Sequence, residues 1–200
     1  MPNYVQHDIH RLKHYLHACL QHAPHRHNKP AYGQKIQFSD SQDDTKEVFL
    51  PASAKTLIQR IIGIFLYYGI ALDLTMLVAL GTLATQQSKP TESLWDDITW
   101  FLNYSASRPD AKICFSSSDM ILHIASDGSY RSETKSRSRV RGVFYLSSKL
   151  PKHDQAPDCN HPFNAPFRVV AKILKMITSS AMKTEVAANF TMLKKLSLSE

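Results

Sequence analysis

This 200-residue sequence is poor in cysteine and glycine, and it opens without an apolar run. The three cysteines, Cys19, Cys114 and Cys159, stand far apart and form no CxxC pair. They give neither a disulfide framework nor a zinc site and are expected to be reduced intracellular thiols. With 6 Gly, 10 Pro and 20% charged residues, a collagen, a coiled coil and a disordered tail are excluded. The N-terminus, MPNYVQHDIHRLKHYLH, places His, Asp and Lys where a secretory signal needs apolar residues, so no export signal is expected. What is present is 43% hydrophobic residues, enough in a chain of this length to bury a core in one ordinary domain or two small ones.

Charge is distributed unevenly. Residues 129–200 hold 13 basic and 5 acidic side chains, whereas residues 1–128 hold 11 and 12, so the whole formal surplus of +7 belongs to the C-terminal third. Such an asymmetry points to a phosphate backbone or an anionic membrane surface as partner, with solubility as the plainer explanation.

Residues 1–48 read as a polar, extended lead-in, broken by Pro2, Pro24, Pro30 and Gly33 and ending in SDSQDDTKE. Seven of the ten histidines fall in it, and His7, His10, His14 and His17 have helical spacing. Nothing near them supplies the Cys or carboxylate partners that usually complete a zinc site, so a solvated or loosely packed strip is expected.

From Thr56 the chain turns apolar, and residues 61–84 carry a single charge, Asp73. The window is long enough to span a bilayer. Its central carboxylate and Gly63, Gly69 and Gly81 argue instead for two amphipathic helices, about 56–70 and 74–86, that turn near Asp73 and pack on each other. A third helix starts after Pro90 and Thr91, repeats Leu94, Ile98, Phe101 and Leu102 at the helical period, and stops at Arg108, Pro109 and Asp110. Asp96 and Asp97 are adjacent on it, which suits a solvated side better than a catalytic pair.

The second half reads as strands. KICFS at 112–116 and DMILHIASD at 119–127 form the expected β-hairpin, and the basic run RSETKSRSRVRG leads to a strand at 143–147. Another strand is expected over 167–177, followed by a helix capped by Ser179 or Ser180, with Val186, Phe190 and Leu193 as its apolar stripe.

In that order of elements, a strand ends on Asp127 and the last helix carries Glu185 in its first turns. Two carboxylates so placed can converge on a divalent cation, and hydrolysis of a phosphodiester by two cations requires clustered negative charge of this kind. Two acids make half of such a site, and a single Asp on a strand with a single Glu on a helix is also an ordinary structural or solvated arrangement.

The runs TLIQRIIGIFLYYGIALDLTMLVALGTLATQQSKPT, FLNYSASRPDAKICFSSSDMILHIASDGSY, RSRVRGVFYLSS and SSAMKTEVAANF, in this order, resemble the C-terminal end of the reverse transcriptase of copia-like LTR retrotransposons, where the polymerase runs into an RNase H domain. MPNYVQ, LKHYLHACLQHAPH and KPAYG extend the resemblance over about residues 1–196. The resemblance implies an α+β chain. Residues 49–110 would be a helical thumb or connection region, and residues 111–200 an incomplete RNase H-like mixed sheet with one helix. It implies that Asp127, in HIASDGSY, and Glu185, in SSAMKTEVAANF, are catalytic carboxylates binding Mg²⁺ to cleave the RNA strand of an RNA–DNA hybrid. It places Arg137, Arg139 and Arg141 in a basic turn facing phosphates, or else in a solvated charge run.

Lys183, Gly128 and Arg141 depart from the family pattern, in which an acid, Ala and Gly are usual. The polymerase's YxDD pair would lie before Met1 and the next metal-binding aspartate after Glu200, so the resemblance implies a truncated or decayed piece of a polyprotein with little or no activity. The expected partners are a hybrid or other nucleic acid and the remainder of the polyprotein, with no membrane, in the cytoplasm or nucleus. Two other readings stand beside it: a non-catalytic nucleic-acid-binding remnant, and a small membrane-associated protein using residues 61–84.

Overall fold

The computed structural model describes residues 1, 3–14, 20–26, 48–133, 136–148 and 164–197. The chain is mixed α plus β and divides into two units, Met1–Lys112 and Ile113–Glu200.

The first unit is helical: α1 (Tyr4–Arg11), α2 (Ala52–Ala71), a 3₁₀ turn (Leu74–Met76), α3 (Leu77–Gln86) and α4 (Glu92–Ser107). Pro51 stands at the N-cap of α2, where its lack of an N–H costs nothing. The chain then stays helical until Leu72 and Asp73. Asp73 is buried, and its carboxylate accepts hydrogen bonds from the Thr75 N–H (3.2 Å) and hydroxyl (2.5 Å), while that hydroxyl also pairs with the Tyr104 hydroxyl at 2.9 Å. This explains a carboxylate in the middle of the apolar window, since it caps the turn between α2 and α3. Thr91 caps α4, accepting from Leu94 N–H at 3.3 Å.

The core of this unit joins Ile58, Ile61, Phe65 and Tyr68 of α2 to Met76, to Leu80 of α3 and to Leu94, Ile98 and Phe101 of α4. Phe65 meets Phe101 edge-on, with ring centroids 5.3 Å apart. Among the described residues no helix is long and apolar enough to cross a membrane.

Part of the expected extended lead-in is helical instead. α1 buries Val5 and Ile9 in the same core, because its apolar residues recur at the helical interval on one side. His7 and His10 are exposed on it, whereas His14 lies beyond its end and pairs with the buried Asn103 through Nε2 at 2.7 Å. His17, His27, Pro30, Gly33 and the SDSQDDTKE stretch lie outside the described residues.

Among the described residues the second unit is a three-stranded antiparallel sheet, β1 (Ile121–Glu133), β2 (Arg137–Ser147) and β3 (Pro166–Ile173), in the order β1-β2-β3, with α5 (Ala181–Ser197) packed on one face. Three expectations are corrected here. Residues 108–120 contain no strand, so the hairpin expected over 112–127 does not form. The hairpin is β1–β2, and the basic run supplies strand residues on both sides of its turn. Within that run Ser138, Val140 and Gly142 point inward and alternate with Arg137, Arg139 and Arg141, the period of a strand.

The third correction concerns α5, which Ser180 caps by accepting from Lys183 N–H at 3.2 Å. Val186, Phe190 and Leu193 are 62%, 66% and 60% exposed, and the residues against the sheet are Thr184, Ala188 and Met192. The physical reason is the relief of the sheet. A side-chain carbon on Gly128 would lie 2.9 Å from Thr184 Cγ2, and one on Gly142 would lie 1.9 Å from Met192 Sδ. The glycines leave two hollows. The helix face carrying Thr184, Ala188 and Met192 settles into them.

Candidate functional site

The site predicted from the sequence belongs to the second unit. From Ile121 to Ser129, β1 pairs residue by residue with β2, and Asp127 is the direct partner of Arg141. The residues flanking Asp127 both lie against α5: the Ser126 hydroxyl donates to Asn189 Oδ1, and Gly128 touches Thr184. Successive strand residues point to opposite faces, so Asp127 projects from the face away from α5. On that face it has Arg141 across the ladder, and His123 stacked on Tyr145 at 5.3 Å four residues earlier in β1.

Glu185 is held by a different set of contacts. Thr184, next to it, is fully buried in a cluster of hydroxyls. Its Oγ1 lies 2.6 Å from Thr178 Oγ1 and donates to the Ser180 carbonyl at 3.1 Å. Thr178 Oγ1 is in turn 2.9 Å from Ser138 Oγ, which accepts from Arg131 N–H at 3.0 Å. A buried hydroxyl with these partners repays its desolvation and fixes the first turns of α5 on β1 and β2.

The outcome is that the chain positions of Asp127 and Glu185 are brought together, each adjacent in sequence to one side of the Gly128–Thr184 contact. Both side chains are exposed. They leave from opposite sides of β1, which is one of the two outer strands among the described residues, so they can face one another only around its edge.

The three arginines occupy β2 rather than a turn. Arg137 pairs with Glu133 in the ladder. Arg139 is 2% exposed, with its Nε 2.5 Å from Glu133 Oε1, and is committed to an internal ion pair instead of a phosphate. Arg141 is exposed.

Among the described residues no three His, Cys, Asp or Glu side chains gather as a metal ligand set. Asp127 and Glu185 supply two carboxylates, and the residue opposite Asp127 is a guanidinium. This donor set does not fit the two-cation centre that the resemblance implies. Sequence reasoning also missed the groups that position α5, namely Ser138, Thr178 and Thr184. Their only signal was the concentration of Ser and Thr around a strand start and a helix start.

No protein-family model, no curated protein and no solved structure matches this chain.

Proposed function

We propose that the second unit is an RNase H-like module, of the kind that ends the reverse transcriptase of copia-like retrotransposons, acting as a non-catalytic binder of RNA–DNA hybrid or other nucleic acid. The observation that supports the reading is the seating of Thr184 on Gly128, which brings the chain positions of the strand acid and the helix acid side by side in a hairpin–strand–helix unit. The net positive charge of residues 129–200 supplies attraction for phosphates. The same reading makes the chain an intracellular piece of a retroelement polyprotein whose other parts are its natural partners.

Hydrolysis is not assigned. In-line attack at a phosphodiester depends on cations held on both sides of the scissile group, and two carboxylates flanked by an arginine hold them poorly. The test is a titration of the full chain with a short RNA–DNA hybrid at several salt concentrations, beside a cleavage assay in Mg²⁺. The expected result is binding that weakens linearly in log affinity against log salt, with no cleavage. Turnover abolished by Asp127→Asn would overturn the non-catalytic part, and salt-independent or absent binding would overturn the rest.

A further inference from the structure

The pairing of Asp127 with Arg141 says more about what this position selects. Direct partners in an antiparallel ladder have Cα atoms about 4.5–5.5 Å apart and side chains on the same face. The other basic groups of β2 differ from Arg141. Arg139 is buried against Glu133, and Arg137 sits at the hairpin end. Arg141 is exposed beside an exposed carboxylate on the same open face.

We infer that Arg141 converts the Asp127 position from a cation site into a contact for the phosphate backbone of a nucleic acid, so that the guanidinium takes the place a divalent ion would need. The proposal rests on the nucleic-acid reading for its ligand but on the β1–β2 register for its geometry. Side chains leaving directly paired strand positions on one face bring a divalent cation on the Asp127 carboxylate to roughly 6 Å from the Arg141 guanidinium. Even in a water-like medium that repulsion corresponds to about a tenfold loss of affinity, and more where solvent is partly excluded. A phosphate held directly by the guanidinium, which can donate two parallel hydrogen bonds, gains more at contact distance than it loses to the Asp127 carboxylate farther off.

The experiment measures Mn²⁺ binding to the full chain by the EPR signal of the free ion, for the parent, Arg141→Gln, Arg141→Lys and Arg141→Gln with Asp127→Asn. Arg141→Gln is expected to bind Mn²⁺ about tenfold more tightly than the parent. Arg141→Lys should stay within threefold of the parent, and the double variant should lose the gain. If Arg141→Gln fails to fold, Arg141→Thr replaces it, since threonine suits an exposed strand position.

Hybrid binding in EDTA is read on the same proteins. Removing the charge should lower the slope of log affinity against log salt by roughly 0.7–0.9, the share of one phosphate contact. Equal Mn²⁺ affinity for the parent and Arg141→Gln would overturn the inference, as would a gain that survives Asp127→Asn or an unchanged salt slope in a chain that does bind hybrid. If the parent binds no hybrid, the nucleic-acid reading fails and with it the choice of phosphate as ligand. The Mn²⁺ comparison would then still decide whether Arg141 excludes a cation.

Discussion

Replacing Gly128 with alanine is the sharpest test of how the second unit is assembled. The added methyl carbon would lie 2.9 Å from Thr184 Cγ2 and 3.0 Å from both the carbonyl carbon and oxygen of Thr184, against about 3.5–4.0 Å for ordinary carbon contacts. Two of those three atoms are helix backbone. They cannot rotate away, and the Ser180 cap and the Ser138–Thr178–Thr184 hydroxyls hold that turn in place. Accommodation therefore requires α5 to lift from β1, which costs about 2–3 kcal/mol, at the upper end of what one inserted methyl group does in a packed site.

The same substitution at Gly63 provides the control. Nothing lies within 4 Å of a side-chain carbon there, and the position is an exposed helix interior, so Gly63→Ala should stabilise by about 0.5–1 kcal/mol. Amide hydrogen exchange resolved by segment separates the two effects. Gly128→Ala is expected to speed exchange in β2 and α5 by roughly 30- to 150-fold under native conditions, whereas Gly63→Ala should slow it in α2. If Gly128→Ala leaves β2 and α5 as protected as in the parent, the seating of α5 on β1 is wrong.

Three further outcomes follow from the packing. At Gly142 the obstacle to a methyl group is the rotatable, buried thioether of Met192 rather than backbone, so Gly142→Ala and Met192→Ala, costing about 1–3 and 2–5 kcal/mol alone, should together cost at least about 1 kcal/mol less than their sum in denaturant titrations. Strict additivity would refute the contact. The Tyr68 hydroxyl donates to the Pro109 carbonyl at 3.0 Å and accepts from the Ala111 N–H at 3.2 Å, so Tyr68→Phe should destabilise the first unit by about 1–3 kcal/mol in the same titrations. Burial raises the Tyr68 pKa above the ordinary phenol value of 10.0. Its stabilisation is therefore complete below that pH and declines as the pH climbs through the raised value, a decline that Tyr68→Phe should reduce. Burial also raises the Asp97 pKa, with Asp96 adding to the effect and Arg26, 3.6 Å away, opposing it. The folded state thus disfavours the ionised carboxylate, and Asp97→Asn should stabilise at neutral pH by less than about 1 kcal/mol. That gain should vanish as the pH falls below the ordinary carboxylate range, and a gain that persists there would contradict the assignment.

How far the fold was legible depends on how each element is punctuated. The turn between α2 and α3 and the start of α4 could be read because Asp73 and Thr91 mark them and the apolar residues follow one period, whereas α2 starts at Ala52, directly after Pro51, four residues before the expected start. The β1–β2 hairpin was hidden because the arginines in its second strand read first as a charge run. Only the alternation with Ser138, Val140 and Gly142 reveals a strand with one polar face. On α5 the sequence carries two candidate stripes. One is Val186, Phe190 and Leu193; the other is Thr184, Ala188 and Met192. Hydrophobicity favours the first and the structure buries the second, because the hollows at Gly128 and Gly142 admit that face and each hollow exists only once two strands are in register.

The candidate site shows the same division between residue type and phase. That the strand carrying Asp127 and the helix carrying Glu185 pack on one another was legible from the order of elements, and the Gly128–Thr184 contact brings the two chain positions side by side. Which face of the sheet Asp127 uses was not legible, since it depends on Ser126 and Gly128 being the residues that meet α5. Nor was its partner across the ladder. Placing Asp127 in the pair with Arg141 makes the electrostatics of the site a property of two strands rather than of a motif, because a guanidinium on the neighbouring strand disfavours a cation at the carboxylate opposite it.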